Sequence, residues 1–406
     1  ITGLVGSEMC IRDSLPAEHK SAENSWQIYG IQLPCTEEFV HLGLDWQQGK
    51  LSPSIQAKIK KARQTAYSML KPGVHGSNGL DPSASLKIIQ TYVVPVILYG
   101  LEAVILSATD VEMLENFYRN LLRRIQSLPE SCAKEAIYLM SGTLPLQTLI
   151  HQRVLCLLGS ISRMDPDETL HRLATRQLGL SVRPSWFTYV SDICSEYDIN
   201  ATSILDMKAG KDELKRYVKT ITVSKAQSSL CLGLLQKSTL CNFIPPATPH
   251  PQLHHIWTTL QGCPHLVPQA EHKARLLVGR GPLNGTLWRQ KSGRDTKCPL
   301  CMQAPEDVEH HLLHCKPLEE VRASKLSQLH RLWTEDGNSP PCSSPEWTEA
   351  ILNGIDYRSS TSGRLITMQN KDLQLDAQRL TLALCYKLLV LRDQTINSML
   401  TGVPLP

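Results

Sequence analysis

A chain of 406 residues, 42% hydrophobic and 20% charged, has enough apolar side chains to bury more than one core and is too apolar to remain disordered. Aromatics at 5% with abundant leucine favour packed helices over a β-sandwich, and a formal net charge of +4 permits nucleic-acid binding without arguing for it. Thirteen cysteines scattered among apolar residues suit a reducing intracellular compartment, cytoplasm or nucleus, better than a disulfide scaffold.

Leu4–Ser14 reads LVGSEMCIRDS, which resembles a translated sequencing-library adapter more than a biological peptide, so residues 1–14 are expected to be a non-native leader outside the fold. From Trp26 to Asp45, short apolar runs punctuated by Gly30, Pro34 and Gly43 predict one or two short strands. Ser52-Pro53 then opens a helix with Ile55, Ile59, Ala62 and Ala66 on one face and Lys58, Lys60, Lys61 and Arg63 crowded along it. Pro72-Gly73 ends it. Leu86–Ser107 is the most apolar stretch, but Lys87, Gln90, Pro95 and Glu102 interrupt it, so the expectation is a buried helix kinked at Pro95 and no membrane span. Asp110–Leu128 follows, with Asp110 as N-cap and a basic end at Arg119, Arg123 and Arg124. Ala133–Met140 and Leu146–Arg163 are the next helices, and Glu168 to about Leu240 stays helical with little contrast.

Ile244–Pro251 is a Pro-rich break, and a second break runs from Asp336 to Glu346. Beyond it lies a long amphipathic helix, Lys371–Ser398, striped by Leu373, Ala377, Leu380, Leu384, Leu388 and Leu391. That stripe serves either packing within the chain or a helix-mediated partner. The organisation read from these signals is mainly α: 15–243 as a helical bundle, 252–335 as a small module and 347–406 as the C-terminal helical segment.

The small module carries the chemistry. Cys298-Pro-Leu-Cys301 is followed by His310 and Cys315, a set of thiolate and imidazole donors able to close a tetrahedral Zn²⁺ shell. Four protein ligands leave no position for substrate, so such a site is structural. A redox CxxC is the competing reading, but no βαβ pattern surrounds it, and two unrelated core cysteines are another. The histidine is open on spacing alone: His311 lies four residues before Cys315 and shares its face on an α-helix, whereas His310 lies five before it. His314 reads as a surface residue.

Ala274-Arg-Leu-Leu-Val-Gly-Arg-Gly-Pro-Leu283 with CPLCMQAPEDVEHHLLHC, Cys298 to Cys315, resembles the zinc-binding tail of non-LTR retrotransposon reverse transcriptases. The family's ligand histidine follows an acidic stretch, so the resemblance implies Cys298, Cys301, His310 and Cys315 as ligands of one structural Zn²⁺. Phe39-Val-His-Leu-Gly-Leu44 looks like the strand that ends this family's palm, and Lys58–Tyr67 resembles its basic thumb helix. Val94-Pro-Val-Ile-Leu-Tyr-Gly-Leu-Glu102, Leu114–Ile125 and Gly142–Leu146 continue the likeness. It covers about residues 26–165 and 270–316.

The resemblance implies the end of a palm and a helical thumb over 15–243, then the zinc module, serving template-primer and nucleic-acid binding in an RNA-directed DNA polymerase. RNA and DNA would be the partners, with phosphates neutralised by Lys58, Lys60, Lys61 and Arg63 and by Arg275, Arg280, Arg289, Lys291, Arg294 and Lys297 around the zinc unit. For the lysines, an ordinary solvated helix face is the alternative. The family polymerises with adjacent aspartates that hold two Mg²⁺ ions in the palm, and no adjacent Asp-Asp occurs here, so this chain is expected to be inactive alone. A non-enzymatic zinc-binding interaction protein, a domesticated or decayed relic, is the runner-up reading.

Overall fold

The computed structural model describes residues 27–28, 31–32, 38–41, 44–47, 52–70, 80–180, 183, 185–207, 209–288, 295–354 and 356–401. The expected leader, together with Arg289, Lys291 and Arg294, lies outside the described residues. Among the described residues the chain is mainly helical.

The strands expected near the start form two antiparallel pairs, β1 (Gln27–Ile28) with β2 (Ile31–Gln32) and β3 (Glu38–His41) with β4 (Leu44–Gln47). Helix α1 (Ser52–Leu70) places Pro53 in its first turn, where a missing N–H breaks no intrahelical bond. The segment expected as one kinked helix is instead α2 (Pro82–Ile88), a π turn at Ile89–Val93 and α3 (Val94–Leu98). Pro95 has no N–H to give the Thr91 carbonyl, and the wider turn lies across that gap in the ladder. By length and composition alone Pro82–Ala103 could cross a membrane. Its Leu86, Ile89, Val93, Ile97, Leu98 and Leu101 are nevertheless buried in protein.

Helix α4 (Ala108–Ile125) corrects the cap assignment. Ser107 is the N-cap, its hydroxyl accepting from Asp110 N (3.2 Å), while the Asp110 carboxylate accepts from Ser107 N (3.2 Å). Asp110 therefore closes a reciprocal box from the third helical position, which also suits a negative charge near the positive end of the dipole. Next come α5 (Lys134–Ser141), α6 (Leu146–Ile161), α7 (Thr169–Leu180), α8 (Trp186–Glu196), α9 (Ala201–Asp206) and α10 (Lys211–Leu235). The Pro-rich stretch 244–251 holds no helix or strand. After it lie α11 (His255–Thr258), α12 (Val267–Leu277), α13 (Asn284–Trp288), a π turn (His310–His314), α14 (Glu319–Glu335) and α15 (Ser344–Asn353). A hairpin of β5 (Asp356–Arg358) and β6 (Leu365–Thr367) leads into α16 (Lys371–Thr401).

The described residues gather into two compact units, one drawn from within 1–69, 89–118 and 146–222, the other from within 70–88, 119–145 and 223–406. In the first, α6 is the central helix, with Ile150, Val154 and Leu158 buried. Gly159 on α6 leaves the space that Leu214 fills, since a Cβ there would meet Leu214 Cδ2 at 1.7 Å.

In the second unit α16 packs against α12 and α14. Of the expected stripe Ala377, Leu384 and Leu388 are buried, while Leu373, Leu380 and Leu391 are only half-buried. Gln378, Thr381, Leu382, Cys385, Leu389 and Arg392 are buried as well, a face wider than the leucine spacing predicts because two neighbouring helices cover it. Gln126 fills a core position with its amide satisfied: it donates to the carbonyls of Leu122 and Ile137 and accepts from Trp257 Nε1. Gly142 ends α5 at φ 61°, and a side chain there would lie 2.4 Å from Leu253 N, so that close backbone approach excludes every larger residue.

Candidate metal centre

The two halves of the motif are built by different local devices. Cys298–Cys301 forms a tight knuckle in which Met302 N donates to Cys298 O (2.8 Å) and Met302 takes φ 57°. Cys298 N bonds Ala304 O and Glu306 N bonds Thr296 O, each at 2.8 Å, so a short ladder clamps the knuckle's base. The second half begins at Asp307, whose carboxylate accepts from His310 N (2.8 Å). A π turn follows, with Cys315 N donating to His310 O at 2.8 Å.

The π turn removes the spacing argument for His311, which assumes 3.6 residues per turn: in the wider turn a residue five before Cys315 no longer lies on the far face. It is His310 that lies with the three cysteines. The ligand atoms of Cys298, Cys301, His310 and Cys315 all lie within 4.8 Å of one another. Cys298 Sγ is 3.7 Å from Cys315 Sγ, and Cys301 Sγ is 3.4 Å from His310 Nε2. A tetrahedral zinc shell with Zn–S of about 2.3 Å and Zn–N of about 2.05 Å requires separations of about 3.8 and 3.6 Å. The four residues fit a metal ion of that size.

His311 lies outside the cluster, buried, with Nε2 unpartnered. Burial pushes it down to about 3, with the Arg392 guanidinium acting in the same direction. His314 is exposed and faces Glu309 at 3.3 Å. At Cys315, burial and the neighbouring sulfurs push the thiol up to about 12. Deprotonation there needs a cation to offset the charge, which couples metal binding to proton release.

No family model, curated protein or solved structure matches this chain.

The basic residues separate by position. Lys58 leaves the nucleic-acid set: it is buried, its ammonium bonds the Tyr99 carbonyl and lies 5.4 Å from the Tyr99 ring centre. It shares the inward face of α1 with Ile55, Ala62 and Ala66, a register the run of basic residues concealed. Lys60, Lys61 and Arg63 are exposed, Arg63 lying 5.8 Å from the Phe117 ring centre. Lys297 is exposed beside the knuckle. Arg275 and Arg280 are half-buried; Arg275 Nε donates to Ser127 O (3.1 Å), while Arg280 Nε is buried without a partner.

Sequence reading missed the support beneath the knuckle. Glu306 is fully buried and accepts from Asn284 N (2.7 Å) and from both Nε and Nη2 of Arg392 on α16. The available signal was Arg392 standing four residues beyond Leu388, a charge in an apolar register.

Proposed function

We propose that this chain is the template-primer-handling end of an RNA-directed DNA polymerase of a non-LTR retrotransposon, with a structural Zn²⁺ held by Cys298, Cys301, His310 and Cys315. One observation carries the reading: four donors in the order and spacing of that family's zinc tail converge at metal-ligand distances. Three sulfurs and one imidazole suit zinc over cations that prefer oxygen. The metal would fix the knuckle against the π turn and leave no open position for chemistry. Phosphate contacts fall to Lys60, Lys61 and Arg63 on α1 and to Lys297 beside the knuckle, groups that neutralise charge without reading sequence. RNA and DNA are then the partners, in a reducing cytoplasmic or nuclear compartment where the free cysteines persist.

The lack of adjacent aspartates favours one second reading, a zinc-binding interaction protein derived from such an element. A filter-binding titration of the zinc-loaded chain against RNA–DNA hybrid, over a range of salt, tests the proposal. Salt-sensitive binding with little sequence preference supports it. Salt-insensitive or undetectable binding overturns it.

A further inference from the structure

Helix α10 opens with a row of basic residues that the chain's small net charge conceals. Lys211, Lys215 and Lys219 stand four residues apart within the first unit, and all three are exposed. None of them forms a salt bridge among the described residues. At about 1.5 Å of rise per residue, each step along the row is about 6 Å.

Packing fixes the direction in which the row points. Leu214 and Val218, one position before Lys215 and Lys219, are buried, and Leu214 fills the space above Gly159 of α6. Thr222 Oγ1 accepts from Gln152 Nε2 on α6 at 2.9 Å, so α10 cannot rotate without losing both contacts. The row therefore runs beside the seam between the two helices. Arg163, exposed just beyond the end of α6, borders the same seam. Burial raises the Cys156 thiol above its ordinary value while Lys215 and Arg163 both act against that rise, which places the two cations on either side of Cys156.

Few acids stand near the row. Asp212 and Glu213 occupy the first turn of α10, where the helix dipole favours them, and α6 carries no acidic residue. Asp165, two residues after Arg163, accepts from Asp167 N (2.9 Å).

Exposed, evenly spaced and unpaired cations suit a ligand whose negative charges also recur. Successive phosphates of a nucleic-acid strand lie about 6–7 Å apart, close to the step of the row. A lipid surface is a poorer match, because a helix bound there inserts its apolar face. The apolar residues beside the row, Leu214 and Val218, are already packed inward.

We propose that Lys211, Lys215 and Lys219, with Arg163 beside them, form a docking surface for the phosphodiester backbone of one nucleic-acid strand. The surface rests on the nucleic-acid reading above and gives a role to residues that reading leaves without one. Lysine reaches phosphate and not sugar, so RNA and DNA strands should bind it alike.

The test is a fluorescence-anisotropy titration of the full chain with an oligouridylate and an oligothymidylate of equal length, over a range of salt. Lys211→Gln, Lys215→Gln and Lys219→Gln together should weaken both strands about tenfold or more, and flatten the log–log salt slope by about 0.7 for each lysine removed. Glutamine is as good a helix former as lysine, so the helical signal should not change. Moving one charge, by Lys215→Gln with Thr220→Lys, keeps the net charge but places the lysine on another side of the helix. It should lower affinity and slope as Lys215→Gln alone does. Acetylation by an N-hydroxysuccinimide ester, read by mass spectrometry on the wild-type chain, should be suppressed at all three lysines when the strand is bound. A wild-type chain that binds, with the triple variant matching it in affinity and slope, overturns this inference and leaves the nucleic-acid reading standing. A wild-type chain that binds neither strand overturns both. Full affinity in the relocated variant, unprotected lysines in the bound complex, or tighter binding to phosphatidylserine vesicles than to either strand would each overturn the docking surface alone.

Discussion

Arg392 on α16 grips Glu306 with two nitrogens, Nε at 2.5 Å from Oε1 and Nη2 at 2.8 Å from Oε2, in a setting where Glu306 is fully buried. Removing one partner of such a pair strands a charge in a poorly polarisable site and costs about 3–5 kcal/mol. Arg392→Met should therefore lower the midpoint of chemical unfolding sharply and weaken metal retention, because Glu306 also holds the chain just before Asp307 and His310. Glu306→Leu combined with Arg392→Met should recover much of the stability. A double variant as unstable as the single ones would show that the pair does more than balance its own burial.

The candidate metal ligands should separate by mutation. The wild-type chain should carry one Zn²⁺ in elemental analysis, and Cys298→Ser or Cys315→Ser should abolish tight binding. His310→Ala should reduce zinc affinity far more than His311→Ala, whose effect should appear in stability. Equal zinc loss from both histidine variants would return the ligand to doubt.

On α1 the basic residues should behave in two ways. Reversing Lys60, Lys61 and Arg63 to Glu should flatten the dependence of nucleic-acid affinity on salt, by a log–log slope of about 0.7–0.9 for each phosphate that is no longer neutralised, with folding intact. Lys58→Glu should instead destabilise the fold, since it puts a carboxylate against the Tyr99 carbonyl in a buried position. Thermal melts beside the binding titrations separate the two outcomes.

Nucleotide incorporation on primed RNA should be undetectable with Mg²⁺ or Mn²⁺, because no adjacent aspartate pair is present to hold two metal ions. Incorporation that survives repeated purification would refute the assignment of this chain to the binding end of the enzyme.

Acid should weaken the first unit through His151. Burial holds this histidine down at about 4, against an ordinary 6.5, with Nδ1 bonded to Tyr197 OH at 2.9 Å. Between those values the unfolded chain takes up a proton that the folded one refuses, so stability is full above about pH 6.5 and falls as the pH drops towards 4. At about 1.4 kcal/mol per pKa unit, the loss approaches 3 kcal/mol. His151→Gln should flatten that part of the stability profile in urea titrations at stepped pH.

Helix positions are legible in the sequence because apolar spacing and stop signals such as Gly142 act locally, and α5, α6 and α16 lie within a few residues of expectation. Local rules also mislead. Asp110 has the side chain of an N-cap, but Ser107, three residues earlier, holds that place, and Lys58 looks solvated because its neighbours in sequence are. The metal set can be named from donor type and order, yet spacing alone leans to His311, because it assumes an α-helical turn where the backbone forms a wider π turn. Glu306 with Arg392 is beyond reach because that pairing is set by tertiary contact between segments far apart in the chain.

The dependence of the knuckle on α16 also has an order in time. During translation Cys298 through Cys315 leave the ribosome well before Arg392 is made, so Glu306 emerges without the cation that will neutralise it. Until then, a metal ion taken up by the nascent thiols would be the means by which this stretch holds its shape. A cell short of that metal should accumulate newly made chains in which the last helix arrives to find no platform for docking, and quality-control proteases would meet those chains first.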